Sequence, residues 1–196
     1  MNRADVSELH YITPIENVPS ILEHGILSNR KSARLAHTSV AMEEVQERRR
    51  EKRIPDARPL HEYVNLYFDA HNPMLSRRRD QNDVICVLRI DPAVFDLPDV
   101  IVADRNAASG YVRFYPAVDG IRALDRDMVF ARFWKNAADP FDEWERKSVK
   151  CAEVLVLDKV DPRFVIGAYV ANERALRAFQ AFNIPLPVVT KNGMFF

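Results

Sequence analysis

Glu153 opens an otherwise apolar run, Glu-Val-Leu-Val-Leu over 153–157. Strands disfavour glutamate. A carboxylate in this position either faces solvent at a strand end or sits at the rim of a cleft, where it can hydrogen-bond a hydroxyl or stabilise developing positive charge. Positive charge is gathered in Arg48-Arg49-Arg50-Glu51-Lys52-Arg53 and Arg77-Arg78-Arg79, with a looser set at Arg105, Arg113 and Arg122. Each run is either a solvated face or a local anion site. Arg49 and its neighbours have little apolar backing and read as an exposed helix suited to clamping phosphate, which guanidinium binds bidentately. The sequence has no Gly-rich phosphate loop, no Gly-x-Ser-x-Gly elbow and no His-Glu-x-x-His. His10, His24, His37, His61 and His71 lack metal-ligand spacing and read as neutral structural residues, so no metal is expected. Cys151 reads as a small packed hydrophobe rather than a nucleophile. Residue types alone therefore point to a cleft with Arg, Tyr and Glu, its substrate open.

Several elements must position these residues. Leu9-His10-Tyr11-Ile12 is a short β-prone run, and Thr13-Pro14-Ile15-Glu16 has the form of a capping box with proline at the first helical position. Ile15, Val18, Ile21 and Leu22 then form one apolar stripe, and Gly25 stands where a helix ends in a left-handed residue. Residues 26–37 lack a period and read as loop, whereas 38–53 is rich in helix formers and closes at Pro55. Strands are expected over 63–68, 84–90, 100–103, 151–157 and 164–170, with the second buried on both faces. Helical patches are expected near 118–124 and 127–134, a turn at Asp161-Pro162, a helix over 172–182 capped by Asn172, and a last strand at 186–190. Strands and helices do not alternate regularly, so the fold class is α+β rather than doubly wound α/β.

The chain has 196 residues, 47% of them apolar, enough to bury a core within one domain. Its 28 basic and 28 acidic side chains cancel, which excludes wholesale coating of duplex DNA and leaves only local nucleic-acid contacts. No apolar run approaches the ~20 residues of a membrane helix, and the first residues lack a secretory stretch, so no membrane association is expected. Two cysteines, Cys86 and Cys151, are too few for a disulfide scaffold and fit a reducing cytoplasm. Five glycines against twelve prolines predict stiff loops.

Taken in order, a set of segments resembles the DarT family of DNA ADP-ribosyltransferase toxins. The matching pieces are Tyr11-Ile12-Thr13-Pro14-Ile15-Glu16-Asn17 with Gly25, Gln46-Glu47-Arg48-Arg49, the run from Leu60 to Phe68, and Asn72-Pro73-Met74-Leu75. Asp104-Arg105-Asn106-Ala107, Ala152-Glu153-Val154-Leu155-Val156 and the Gly193-Met194-Phe195-Phe196 ending continue the match. The resemblance implies one ADP-ribosyltransferase domain over 1–196, in which a split, mixed β-sheet with peripheral helices holds NAD as co-substrate in a central cleft. Tyr11, Ile12 and Thr13 would bind the nicotinamide amide through the backbone, Tyr67 would flank the ring, and Ser20 and Ser28 would line the adenosine side. At Tyr11, the first position of the superfamily's triad, relatives often carry His; that residue acts largely through its main chain. The segment about 33–51 would close over NAD and bring Arg49 against it, Glu153 would be the catalytic glutamate, and about 106–153 would face the substrate.

Under that resemblance Glu153 hydrogen-bonds the ribose 2′-hydroxyl as nicotinamide leaves, and Arg49 orients the ribose-phosphate. The acceptor is a base nitrogen, thymine N3 or a guanine amine, both hidden in a duplex, which implies single-stranded DNA. Arg105, Asn106, Tyr111 and Arg113, with Phe114 and Tyr115 nearby, supply the cationic and aromatic mixture that tracks single strands. The expected partners are single-stranded DNA and a cognate macrodomain antitoxin, with the chain itself a monomer. A transferase of the same fold acting on RNA or protein, including one removing an RNA 2′-phosphate, is the alternative; a silent nucleic-acid-binding module is disfavoured by the intact Arg49, Tyr67 and Glu153.

Overall fold

The computed structural model describes residues 1–33, 37–38, 43–55, 58–136 and 138–196. Strands β1 (Leu9–Pro14), β2 (Ile26–Leu27), β3 (Tyr63–Tyr67), β4 (Ile85–Ile90), β5 (Ile101–Ala103), β6 (Phe114–Pro116), β7 (Glu153–Leu157), β8 (Lys159–Val160), β9 (Val165–Val170) and β10 (Val188–Thr190) build two sheets. The large one has the order β10-β9-β4-β1-β3-β7-β5-β6; β2 and β8 form a separate pair. Only β10 and β9 run parallel, so the sheet is mixed. Around it lie α1 (Val18–His24), α2 (Asn29–Ser32), α3 (Glu43–Glu51), α4 (Pro73–Ser76), α5 (Ala117–Ala123), α6 (Arg126–Val129), α7 (Pro140–Val149) and α8 (Glu173–Gln180).

The seam of the sheet matters most for the site. β1 pairs with β4 at every position from Leu9↔Ile90 to Pro14↔Ile85, but meets β3 only at His10↔Tyr67. Two well-paired halves are thus joined at one row and part beyond it, which is the split that the resemblance implies. Each strand alternates its faces. Leu9, Leu66, Leu88, Val154 and Val156 point into the main core, packed against Ile21 of α1, Ile121 of α5 and Phe179 of α8. Ile12, Tyr67 and Val87 face the other way and meet Met194 and Phe195 near the chain's end. β4 lies between β1 and β9 and is buried on both faces apart from half-buried Arg89, as its continuous apolar run predicts. No helix among the described residues is long and apolar enough to cross a membrane.

Several local expectations give way to long-range pairing. Thr13 and Pro14 belong to β1 rather than to a capping box, because the β1–β4 ladder continues through them and Ile15 N–H donates to the Val84 carbonyl at 2.8 Å. Thr13 Oγ1 instead accepts from Asn17 Nδ2 at 3.3 Å. The helix begins later, with Pro19 in its first turn. Gly25 does end it, at φ +88°, and a Cβ there would lie 2.5 Å from the Val160 carbonyl, where β2 turns to meet β8. Residues 26–37 contain β2 and α2 rather than loop alone; residues 34–36 lie outside the described set. Of the helix expected over 38–53, Glu43–Glu51 is described and residues 39–42 are not.

The patch near 118–124 is α5, but the one near 127–134 shortens to α6, after which Trp134 turns inward against His71 and Phe196. α7 escaped the sequence reading, although Asp139 caps it and Asp142–Arg146 and Glu143–Lys147 are ion pairs at four-residue spacing. The short β6, ending in proline, escaped it too and exists by pairing with β5. Asn172 caps α8 as expected, accepting from the N–H groups of Arg174 and Ala175 at 3.0 Å.

A polar cluster holds β1, β4 and β9 together at one end. Glu8 accepts from Arg89 Nε at 2.7 Å and from the Tyr169 hydroxyl at 2.9 Å, and lies 3.2 Å from His10 Nε2. Burial opposes its charge, but the bonds with His10, Arg89 and Tyr169 prevail and lower its pKa from 4.5 to about 2. A folded-state pKa below the unfolded one stabilises the fold fully above the unfolded value. For Glu8 that contribution is lost as pH falls from 4.5 to about 2. Glu8→Gln is therefore expected to destabilise the protein by on the order of 1–3 kcal/mol at pH 7. Urea unfolding at descending pH should show the gap between the two proteins closing across that window.

Candidate active site

The chain enters β7 under tight control. Lys150 is buried (1% exposed) and donates to the Asp69 carboxylate and to the Val129 carbonyl, pinning the entry of β7 to the loop that follows β3. This tie sits beside the β3–β7 ladder, whose last pair is Tyr67↔Glu153. Because Val154 and Val156 take the main-core face, alternation turns Glu153 to the opposite one. Glu153, Tyr67 and His10 then form one row across three strands.

Glu153 has no exposed surface. An ionised carboxylate in such a place must find compensating donors. Arg49 Nη1 donates to Oε1 at 3.1 Å and Oε2 at 3.0 Å, and the Ala107 N–H donates to Oε1 at 3.0 Å. Arg49 is thus not an exposed phosphate clamp: it is 6% exposed and turns inward from α3, while Arg48 and Arg50 face solvent. The helix has little apolar backing because an ion pair docks it. Glu153 lies at the rim of a cleft and not at a solvated strand end.

That cleft is a cavity of about 360 Å³ where β1 and β3 part, walled by the strand end of β1, by α1 and β2, and by α3. Tyr11, Ile12, Thr13, Ser20, Arg49 and Tyr67 line it together with Glu153 and Asn106. Tyr11 belongs to the alternate set of β1 side chains and lines the cavity, whereas His10 shares the row of Tyr67 and Glu153 and does not line it. Ser28 does not line the cavity: it is buried at the start of α2 between the lining residues Leu27 and Asn29. Arg105 is engaged by Asp104 at 3.2 Å and approaches Glu145 at 3.9 Å. Arg113 is exposed, and Tyr111, 73% exposed, stands edge-on to Trp144 with ring centroids 5.7 Å apart; neither lines the cavity. Ala107 is the contributor that residue types did not announce, since its donor is backbone and only the fold aims it.

The protonation states around the cleft are set by burial. Burial, followed by the Glu153 charge, pushes the Tyr67 phenol well above its ordinary range, and burial pushes Tyr11 up to about 12. Burial and then Glu153 raise the Cys151 thiol to about 12, so it stays a packed thiol. Burial, with Arg49 and Arg50 adding to it, lowers the pKa of His61, another lining residue. The wall therefore combines neutral aromatic hydroxyls with one carboxylate fixed by preorganised donors. Such a group stabilises positive charge developing in a transition state without reorganising.

Residues 10–196 match the family model described as DarT, ssDNA thymidine ADP-ribosyltransferase. The chain belongs to the DarT family. A DNA ADP-ribosyl transferase–DNA ADP-ribosyl glycohydrolase fusion protein of Thermosipho africanus is 33% identical over 195 residues, covering 91% of this chain and 47% of that protein. The solved structure of Thermosipho africanus DarTG in complex with ADP-ribose superimposes with a TM-score of 0.82 at 28% identity, over 96% of this chain and 51% of that one. The chain thus spans about half the length of these relatives. Thermus sp. 2.9 DarT in complex with ADP-ribosylated ssDNA shares the fold at a TM-score of 0.81 and 23% identity, covering 100% of this chain and 99% of that one. The expected α+β ADP-ribosyltransferase architecture is the DarT architecture.

Removing one member of a buried pair leaves the other charge uncompensated. Arg49→Ala is accordingly expected to cost about 3 kcal/mol of stability. Denaturant titration of Arg49→Ala with and without Glu153→Gln should show the second substitution recovering part of that loss.

Proposed function

We propose that this protein transfers ADP-ribose from NAD to thymidine in single-stranded DNA, as the toxin of a pair whose antitoxin is a macrodomain protein. The observation that carries the reading is an acceptor position on Glu153 that no donor among the described residues fills. An ionised carboxylate offers about four acceptor sites. Oε1 takes two hydrogen bonds and Oε2 one, from Arg49 and Ala107. Oε2 therefore keeps one site for the 2′-hydroxyl of a ribose held in the cavity.

In this scheme the bond between ribose C1′ and the nicotinamide nitrogen breaks first. Glu153 favours the oxocarbenium-like state by its charge and by its bond to the 2′-hydroxyl. Thymine N3 then forms the new bond to C1′, and its proton leaves to water, giving ADP-ribosyl-thymidine and nicotinamide. Arg49, a permanent cation, does not accept that proton; it orients the ribose-phosphate and favours the deprotonated base electrostatically. Tyr11, Ile12 and Thr13 offer the strand end for the nicotinamide amide, Tyr67 its ring face, and Ser20 the adenosine side, where Ser28 contributes through packing. Thymine N3 is hidden in a base pair, so the substrate is single-stranded.

Arg105, Asn106, Tyr111 and Arg113 form the DNA face, with Tyr111 and Trp144 presenting aromatic surface for stacking. This local face accords with a net charge of zero. The residues 1–196 act as one transferase domain, with the described residues of the segment about 33–51 closing over NAD and about 106–153 facing DNA. The setting is the cytoplasm, and the working form is a monomer. A transferase and a glycohydrolase joined in one relative support the pairing with an antitoxin that strips the modification.

Mass spectrometry of mixed-sequence single-stranded oligonucleotides incubated with the protein and NAD should show one added ADP-ribose, with fragmentation placing it on thymidine. Glu153→Ala should lower the rate at least about 100-fold while retaining NAD binding, as loss of a preorganised transition-state group does. Modification of RNA or protein alone would overturn the reading. Arg113→Glu should weaken oligonucleotide binding more at low salt than at high, in proportion to screening; anisotropy titrations at two ionic strengths check this.

A further inference from the structure

Two cations three residues apart, Arg49 in α3 and Lys52 just beyond its end, reach two parts of the same structure. Arg49 holds Glu153, while Lys52, just past the end of the helix, donates from Nζ to the Ser109 carbonyl at 2.9 Å. The Lys52 N–H donates to the Arg49 carbonyl at 3.3 Å, which joins the two residues through the backbone. The backbone at Lys52 is itself fixed, because its carbonyl accepts from Leu60 N–H at 3.0 Å. Ser109 lies in the loop between β5 and β6. That loop is tied at its start by Asn106 N–H to the Ser148 carbonyl at 2.9 Å and by Ala107 N–H to Glu153. Beyond Ser109, the Tyr111 N–H donates to Ser109 Oγ at 3.3 Å, so the placing of Ser109 sets the root of the Tyr111–Arg113 segment. On its other side α3 lines the cavity through Val45, Gln46, Arg48 and Arg49. α3 thus touches the cavity, and the residue that follows it touches the β5–β6 loop.

We propose that Lys52 is a positioning residue that couples nucleotide occupancy of the cavity to the affinity of the loop for single-stranded DNA. A nucleotide packed against α3 adds to the Arg49–Glu153 tie that holds the helix, and the charge-assisted bond from Lys52 carries that order to Ser109. DNA then binds the NAD-loaded protein more tightly than the free protein, and by linkage DNA tightens NAD binding by the same factor. The lysine ammonium donates here to one backbone carbonyl, and the guanidinium of an arginine also offers N–H donors and a permanent charge. The inference rests on the proposed transferase reading and adds a coupling between the binding of its two substrates.

The test is anisotropy of a labelled thymidine-containing oligonucleotide against the full chain, with and without carba-NAD, an analogue that is not cleaved. Wild type is expected to bind about tenfold more tightly with the analogue, within the usual range of coupling between sites. Lys52→Met should lose this enhancement to within about twofold while its thermal midpoint and its affinity for carba-NAD alone stay at wild-type values; Lys52→Arg should restore it. Equal oligonucleotide affinity with and without the analogue in wild type, or undiminished enhancement in Lys52→Met, overturns the coupling. Absence of any oligonucleotide binding by wild type under both conditions overturns the transferase reading, and the coupling with it.

Discussion

A carboxylate with no exposed surface organises this molecule. Glu153 stands at the first position of β7, and its charge is tolerated only because donors from distant parts of the chain converge on it. Arg49 comes from 104 residues earlier, Ala107 from 46. Satisfying one side chain therefore fixes α3 against the sheet and fixes the β5–β6 loop against the same strand. The cavity wall and the placing of the β5–β6 loop are consequences of the same requirement.

The second constraint is the single shared position between β1 and β3. A fully zipped sheet would leave no space between those strands. Here the pairing of β1 goes almost wholly to β4, and that of β3 to β7, so the sheet opens beside the row His10–Tyr67–Glu153. Core side chains on the opposite face keep both halves rigid while the seam remains free for a ligand. Dense packing below and an open seam above give the carboxylate a fixed direction.

Much of this was legible from residue types. Glu153 stood out because a strand-disfavoured residue led an apolar run, and the central β4 announced itself by burial on both faces. A helix over 38–53 was legible, and 43–51 of it is described as α3, but its orientation was not: its thin apolar stripe suggested exposure, and an ion pair buried Arg49 instead. Thr13 and Pro14 carried a convincing helix-start pattern and became strand, since a ladder with β4 outweighs one local cap. α7 was missed although its cap and spaced ion pairs were written in the chain.

The sequence by itself determined the element types along most of the chain, the alternation that turns Glu153 away from the main core, and the ordered motifs that mark the DarT family. Those follow from local chemistry, from period and cap to side-chain charge. Tertiary structure alone decided that Arg49 and Ala107 meet on Glu153, that Ser28 stays behind the cavity wall, and that His10 rather than Tyr11 shares the row of Tyr67 and Glu153. Such contacts join residues far apart in sequence. Their positions follow from strand register and from the compensation of buried charge, and neither is encoded at a single place in the chain.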